Sequence, residues 1–224
     1  VFAAPASDIP DEMLDNVYLD ALAYTGYQVQ AQKNDGTIYK TYGSRATAYG
    51  SDISYGLVKY GTETVTKSGT ATGLAPDIAG FESSGLCCAS YVSYVYYNYL
   101  PNIAGINTSD VAKPSNPRSA SSYNTAANAW VNAGTARRIS FTQSSNGDNF
   151  NPSEEIPIGS LIVFKHIPTG GIAHVAIYAG YYNGIHFVTH VGNDRGPEFS
   201  TIVGMSKGDY PEAVVQVVAP QFVE

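Results

Sequence analysis

Gly85-Leu86-Cys87-Cys88-Ala89-Ser90-Tyr91-Val92-Ser93-Tyr94-Val95-Tyr96-Tyr97-Asn98-Tyr99-Leu100 changes character at its two cysteines. Gly85 breaks the preceding loop, and from Ala89 onward nearly every position is apolar or aromatic. That predicts a helix buried on most sides, although its Tyr and Val content would suit a strand by propensity alone. The thiols stand where this helix begins. There the positive end of the helix dipole and unpaired N–H groups favour a thiolate and can hold a developing oxyanion. The plainer reading is a pair of small hydrophobes in a core, where free cysteine is common. Adjacent cysteines do not suit relaxed disulfide geometry, and the chain has no others, so it carries no internal disulfide framework.

On the N-terminal side, Asp11 to Gln32 carries a helical pattern in Met13, Leu14, Val17, Leu22 and Val29, followed by a turn at Asn34-Asp35-Gly36. Residues 37–80 are rich in Gly, Thr, Ser and Tyr and read as loop with short strands or helical turns. On the C-terminal side, Ser119 to Ala133 reads as a helix capped by Ser119, Ser121 or Ser122 and ended by Gly134. The last third holds short β-rich runs: Leu161 to Lys165, His174 to Tyr182, Ile185 to Val191, Phe199 to Val203 and Ala213 to Val218. Gly, Asn, Asp and Pro separate them, as in an antiparallel meander. Helices first and strands last predict an α+β fold.

At 224 residues the chain fits one domain, with 1–10 as a flexible remnant and 11–224 as a single unit carrying insertions near 37–80 and 101–155. The opening Ala4-Pro5-Ala6 has the small-x-small form of a secretory cleavage site, so the expected location is outside the cell. Charged residues are 14% and the net charge is −7. Neither a nucleic-acid backbone nor an anionic membrane suits such a chain as main partner, because both call for clustered Lys and Arg. No run approaches the roughly 18 apolar residues of a membrane span.

A base gives the thiols a use. The four histidines are His166, His174, His186 and His190. His174 opens the alternating run His174-Val175-Ala176-Ile177-Tyr178-Ala179-Gly180 and so projects from the rim of a sheet. Folding the chain about Tyr182-Asn183-Gly184 returns His190 beside His174, with His186 on the same strand and of the same parity. Nucleophile, base and a group that orients the base are what thiol acyl transfer needs. The spacing matches no zinc motif, since neither Cys-x-x-Cys nor His-Glu-x-x-His occurs, and no glycine-rich nucleotide loop is present. No metal or cofactor is expected. Gly192-Asn193-Asp194-Arg195-Gly196-Pro197 reads as a tight turn, with Arg195 available to pair with a substrate carboxylate. Tyr39, Tyr42, Tyr49, Tyr55 and Tyr60 are candidates for surface contacts with a glycan or peptide.

Three blocks together resemble the NlpC-type bacterial cell-wall cysteine peptidases. That family carries Asp-Cys-Ser-Gly ahead of an aromatic helix, then Pro-Gly-Asp-Leu-Val-Phe-Phe, then His-Val-Gly-Ile-Tyr and a strand with a third polar residue. Here the blocks are Cys87-Cys88-Ala89-Ser90-Tyr91-Val92-Ser93-Tyr94-Val95-Tyr96, Pro157-Ile158-Gly159-Ser160-Leu161-Ile162-Val163-Phe164 and His174-Val175-Ala176-Ile177-Tyr178-Ala179-Gly180. They cover roughly residues 85–203 of the chain. Ala21 to Tyr27 is similar to the end of the family's first helix. The resemblance implies a papain-like fold, with Cys88 as nucleophile, His174 as base and His190 as the orienting residue, His186 being the runner-up. It implies hydrolysis of amide bonds in peptidoglycan stem peptides, between γ-D-glutamate and a diamino acid. The family's oxyanion-assisting Tyr precedes its Cys closely; no Tyr stands there, and Tyr27 is the substitute if 37–80 is an insertion. The sequence departs from the family at Cys87 for Asp, Ala89-Ser90 for Ser-Gly and Ser160 for Asp. Two rival readings are a CHAP-type amidase cutting between sugar and peptide, and a secreted wall-binding module with a dead site.

Overall fold

A computed structural model describes the chain at 16–18, 21, 87–191, 200–208 and 210–224, and as backbone alone at 29–32, 38–42, 59–60, 63–64, 192 and 196–199. Within these residues the fold is α+β. Two short hairpins come first: β1 (Val29–Gln32) with β2 (Ile38–Tyr42), and β3 (Lys59–Tyr60) with β4 (Glu63–Thr64), both antiparallel. The expected helix from Asp11 to Gln32 is helical at 17–18 and 21, but its last four residues are strand β1. A hairpin partner rich in β-formers, Ile38-Tyr39-Lys40-Thr41-Tyr42, outweighs a helical spacing that rested on Val29 alone at that end.

Helix α1 (Cys88–Tyr94) starts with a reciprocal cap. The Cys87 sulfur accepts the Ser90 N–H at 3.4 Å, and the Ser90 hydroxyl accepts the Cys87 N–H at 2.7 Å. The helix widens to π geometry over Val95–Tyr99, directly ahead of Pro101 in the short α2 (Leu100–Asn102). Pro101 has no N–H for the carbonyl four residues back, so the regular α ladder cannot continue through it. Helix α3 (Ala120–Ala133) is capped by the Ser119 side chain and ends at Gly134 with φ of 75°, as its sequence predicts.

The main sheet is antiparallel with the order β11-β10-β9-β8-β12-β5. Its strands are β5 (Ala136–Ile139), β8 (Leu161–His166), β9 (Ile172–Tyr182), β10 (Ile185–Gly192), β11 (Gly196–Thr201) and β12 (Glu212–Pro220). Phe141–Thr142 (β6) pairs separately with Asn151–Pro152 (β7). β8 to β11 form the expected meander, turning at Asn183-Gly184, both with positive φ. The chain then departs from it. Residues Ile202 and Val203, expected as the end of a strand, instead open helix α4 (Ile202–Met205), and β12 crosses to the far side of β8. There it is flanked by β5, a strand the sequence reading left inside the 101–155 insertion.

Both faces of this sheet are covered. Val163, Val175, Ile177 and Ala179 pack under α1 and α3 with Tyr91, Tyr94, Tyr96 and Trp130. Ile162, Phe164, Ala176, Tyr178 and Val217 face a second core closed by Phe150, Ile156, Ile202 and Met205. Gly159 stitches the first core to the sheet. Its φ is +100°, its carbonyl accepts the Tyr96 hydroxyl at 2.6 Å, and a Cβ there would strike the Tyr18 hydroxyl. The Pro-Ile-Gly-Ser block thus needs its glycine for both backbone angle and space.

Candidate functional site

Cys88 is the first residue of α1, packed on the start of β9. The Gly159 N–H donates to the Tyr178 carbonyl and the Tyr178 N–H to that of Ser160, so even-numbered amides of β9 face β8 and odd-numbered ones face β10. β10 answers them only as far as Thr189↔Ile177. Beyond that last rung the Val175 amide meets the Cys88 sulfur and favours its thiolate form. The thiol is therefore tied to the residue that follows His174.

His174 and His190 come together where the ladder has ended. His174 Nε2 lies 2.9 Å from His190 Nδ1, with the rings edge to face at a centroid separation of 4.9 Å. His190 Nε2 in turn lies 2.7 Å from the Ser200 hydroxyl. All three side chains are buried. Burial holds His174 well below the usual histidine range, and a charge on His190 would lower it further. The ring is consequently neutral, and Phe164 packs beside it with centroids 5.9 Å apart.

The two thiols divide differently from expectation. The low pKa belongs to Cys87, lowered to about 6 by its hydrogen bond with Cys88 and by the N–H groups of Ser90 and Ala89, which outweigh burial. Cys88 is pushed up by that same bond, by burial and by the negative charge of Cys87. The donors of the helix start converge on the capping sulfur, while Cys88 has the Val175 amide. Adjacent sulfurs in hydrogen-bond contact lose their protons as a pair, the first readily and the second late. Both thiols are free of disulfide linkage.

A pocket of about 340 Å³ opens at this pair. Its walls are Cys87 and Cys88, the Arg118–Ser121 segment leading into α3, and Ile172 and Ala173 at the start of β9. Cys87 also donates to the Arg118 carbonyl at 3.5 Å. Part of the 101–155 segment therefore stands beside the thiols. The comparable segment 37–80 lies outside the described residues except for the strands named above.

His186 sits elsewhere. It shares a sheet face with His190 but stands four residues up β10, roughly 13 Å along the strand. Its Nδ1 meets the Tyr178 hydroxyl at 2.8 Å and its ring stacks on Tyr181. That leaves His190 as the partner of His174. Tyr27 and Arg195 lie outside the described residues, as do Tyr49 and Tyr55; Tyr39, Tyr42 and Tyr60 are described as backbone alone. Sequence reading missed Ser200 and the Arg118–Ser121 wall. A serine ten residues past His190 carries no motif, and only the β10–β11 register brings it near.

No family model, curated protein or solved structure matches this chain. Among the described residues no three His, Cys, Asp or Glu side chains group to hold a metal ion, and no helix is long and apolar enough to cross a membrane.

Proposed function

We propose that the chain is a papain-like cysteine peptidase of NlpC type that acts outside the cytoplasm on bacterial cell-wall stem peptides, cleaving the amide bond between γ-D-glutamate and a diamino acid. The observation that carries this reading is the pairing of His174 with His190 one residue from the amide that holds the Cys88 sulfur. The resemblance of the three sequence blocks supplies the substrate class; the side chains themselves support acyl transfer.

In this reading His174 Nε2 is engaged by His190, so Nδ1 is the nitrogen that takes the Cys88 proton. The thiolate attacks the substrate carbonyl, and the backbone N–H of Cys88, which is not among those drawn to the Cys87 sulfur, holds the tetrahedral oxyanion. His174 returns the proton to the leaving amine, and water then opens the thioester. Cys87 stands where the resembled family has Asp and does the work an Asp would do there, accepting the Ser90 N–H.

Digestion of purified cell-wall sacculi, read by mass spectrometry, tests the proposal. The protein should release fragments with a new amino terminus on the diamino acid, and Cys88→Ala and His174→Ala should release none. Whole stem peptides freed from their sugar would instead identify an amidase. Binding without cleavage, with a Cys88 that resists alkylation, would identify a wall-binding module.

A further inference from the structure

We infer that Ser200 is a positioning residue: by accepting a hydrogen bond from His190, it fixes the ring tautomers so that His174 presents an unprotonated nitrogen to the thiol. This rests on the reading of Cys88 and His174 as nucleophile and base.

The three groups form a row, His174 Nε2 to His190 Nδ1 at 2.9 Å and His190 Nε2 to Ser200 Oγ at 2.7 Å. A neutral imidazole carries one N–H and one lone pair, so the hydrogens along this row run one of two ways. In the first, His174 Nε2–H donates to His190 Nδ1, and His190 Nε2–H donates to Ser200. His174 Nδ1 then holds the lone pair. In the second, the Ser200 hydroxyl donates to His190 Nε2, and His190 Nδ1–H donates to His174 Nε2. His174 then carries its hydrogen on Nδ1 and cannot accept one from a thiol there.

Only the first arrangement serves the reaction, and it serves both halves of it. Once His174 has taken the thiol proton, both its nitrogens carry hydrogen, and Nε2–H still needs the lone pair on His190 Nδ1. The hydrogen of His190 must stay on Nε2 throughout, and that N–H is fully buried. A buried N–H with no acceptor is disfavoured by roughly 5- to 150-fold in population. Ser200, itself fully buried on the neighbouring strand, is the acceptor the structure provides. Remove it and the hydrogen of His190 moves to Nδ1, which turns His174 the wrong way round.

Nitrogen-15 spectra of the histidine rings at neutral pH test this directly, and with four histidines in the chain assignment is tractable. In the unsubstituted protein His174 should be protonated on Nε2 and unprotonated on Nδ1; the opposite tautomer overturns the inference without any variant. Ser200→Thr and Ser200→Val place the same bulk in the site and differ in the hydroxyl. The Val protein should move the His174 hydrogen to Nδ1 and slow iodoacetamide labelling of Cys88 by about 10²-fold, the low end of what a positioned base supplies. The Thr protein should keep the parent tautomer and rate. Equal behaviour of Thr and Val overturns the inference. Tautomers and labelling as expected, with no stem peptide cleaved, would uphold the role of Ser200 and overturn the proposed function alone.

Discussion

Cys87 shows how a single side chain can depart from a motif without emptying its role. The resembled family places a carboxylate before its nucleophile. Here a sulfur accepts the Ser90 N–H and Ser90 answers it, so the helix start is closed by a thiol whose pKa is drawn down to about 6. Glu212 is a different case. It is 1% exposed, its Oε2 has no hydrogen-bond partner among the described residues, and burial pushes it from 4.5 up to about 8. Between those values the native chain holds a proton that the unfolded chain has released, so this residue's contribution falls as pH rises through the window. By pH 7 the cost is roughly 3 kcal/mol. Glu212→Gln should therefore be more stable than the parent in urea at pH 8, with the difference nearly gone at pH 5. An equal offset at both pH values would contradict the buried acid.

At the scale of elements, Gly159 is the most exacting position. Its φ of +100° strains any other residue, and a Cβ would meet both the Tyr18 hydroxyl and Val223. Gly159→Ala should cost about 3 kcal/mol or more in chemical denaturation, since strain and overpacking add. A loss below about 1 kcal/mol would mean that Tyr18 moves aside at little cost. Elements marked by local chemistry were legible from sequence. The Ser119 cap and Gly134 bound α3, the Asn183-Gly184 turn set the β9–β10 hairpin, and that hairpin brought His190 to His174. What sequence left dark depends on contacts distant along the chain. β5 is four residues of ordinary composition that become a strand because β12 lies beside them. β12 itself joins β8 rather than β11, which no local pattern encodes. His186 and His190 have the same parity, so alternation alone could not choose between them.

Considered whole, the molecule is a sheet with a core on each face, and the strands nearest its middle have no route to water. The amides of β8 and the middle of β9 should be the slowest to exchange with deuterium, and those of the edge strands β5 and β11 faster. Uniform exchange across the six strands would speak against a sheet closed on both sides. The premature end of the β9–β10 ladder has a reach beyond the amide it releases. Val175 holds the sulfur through its peptide group, which every amino acid except proline possesses. The grip on the Cys88 sulfur is thus encoded in no side chain, and substitution at 175 can wander among apolar residues without loosening it. The pocket wall at Arg118–Ser121 belongs to another part of the chain, joined to the thiols through Cys87. In the proposed reaction, substrate preference can drift at that wall while the two thiols keep their places, so a change in what is bound need not disturb what reacts.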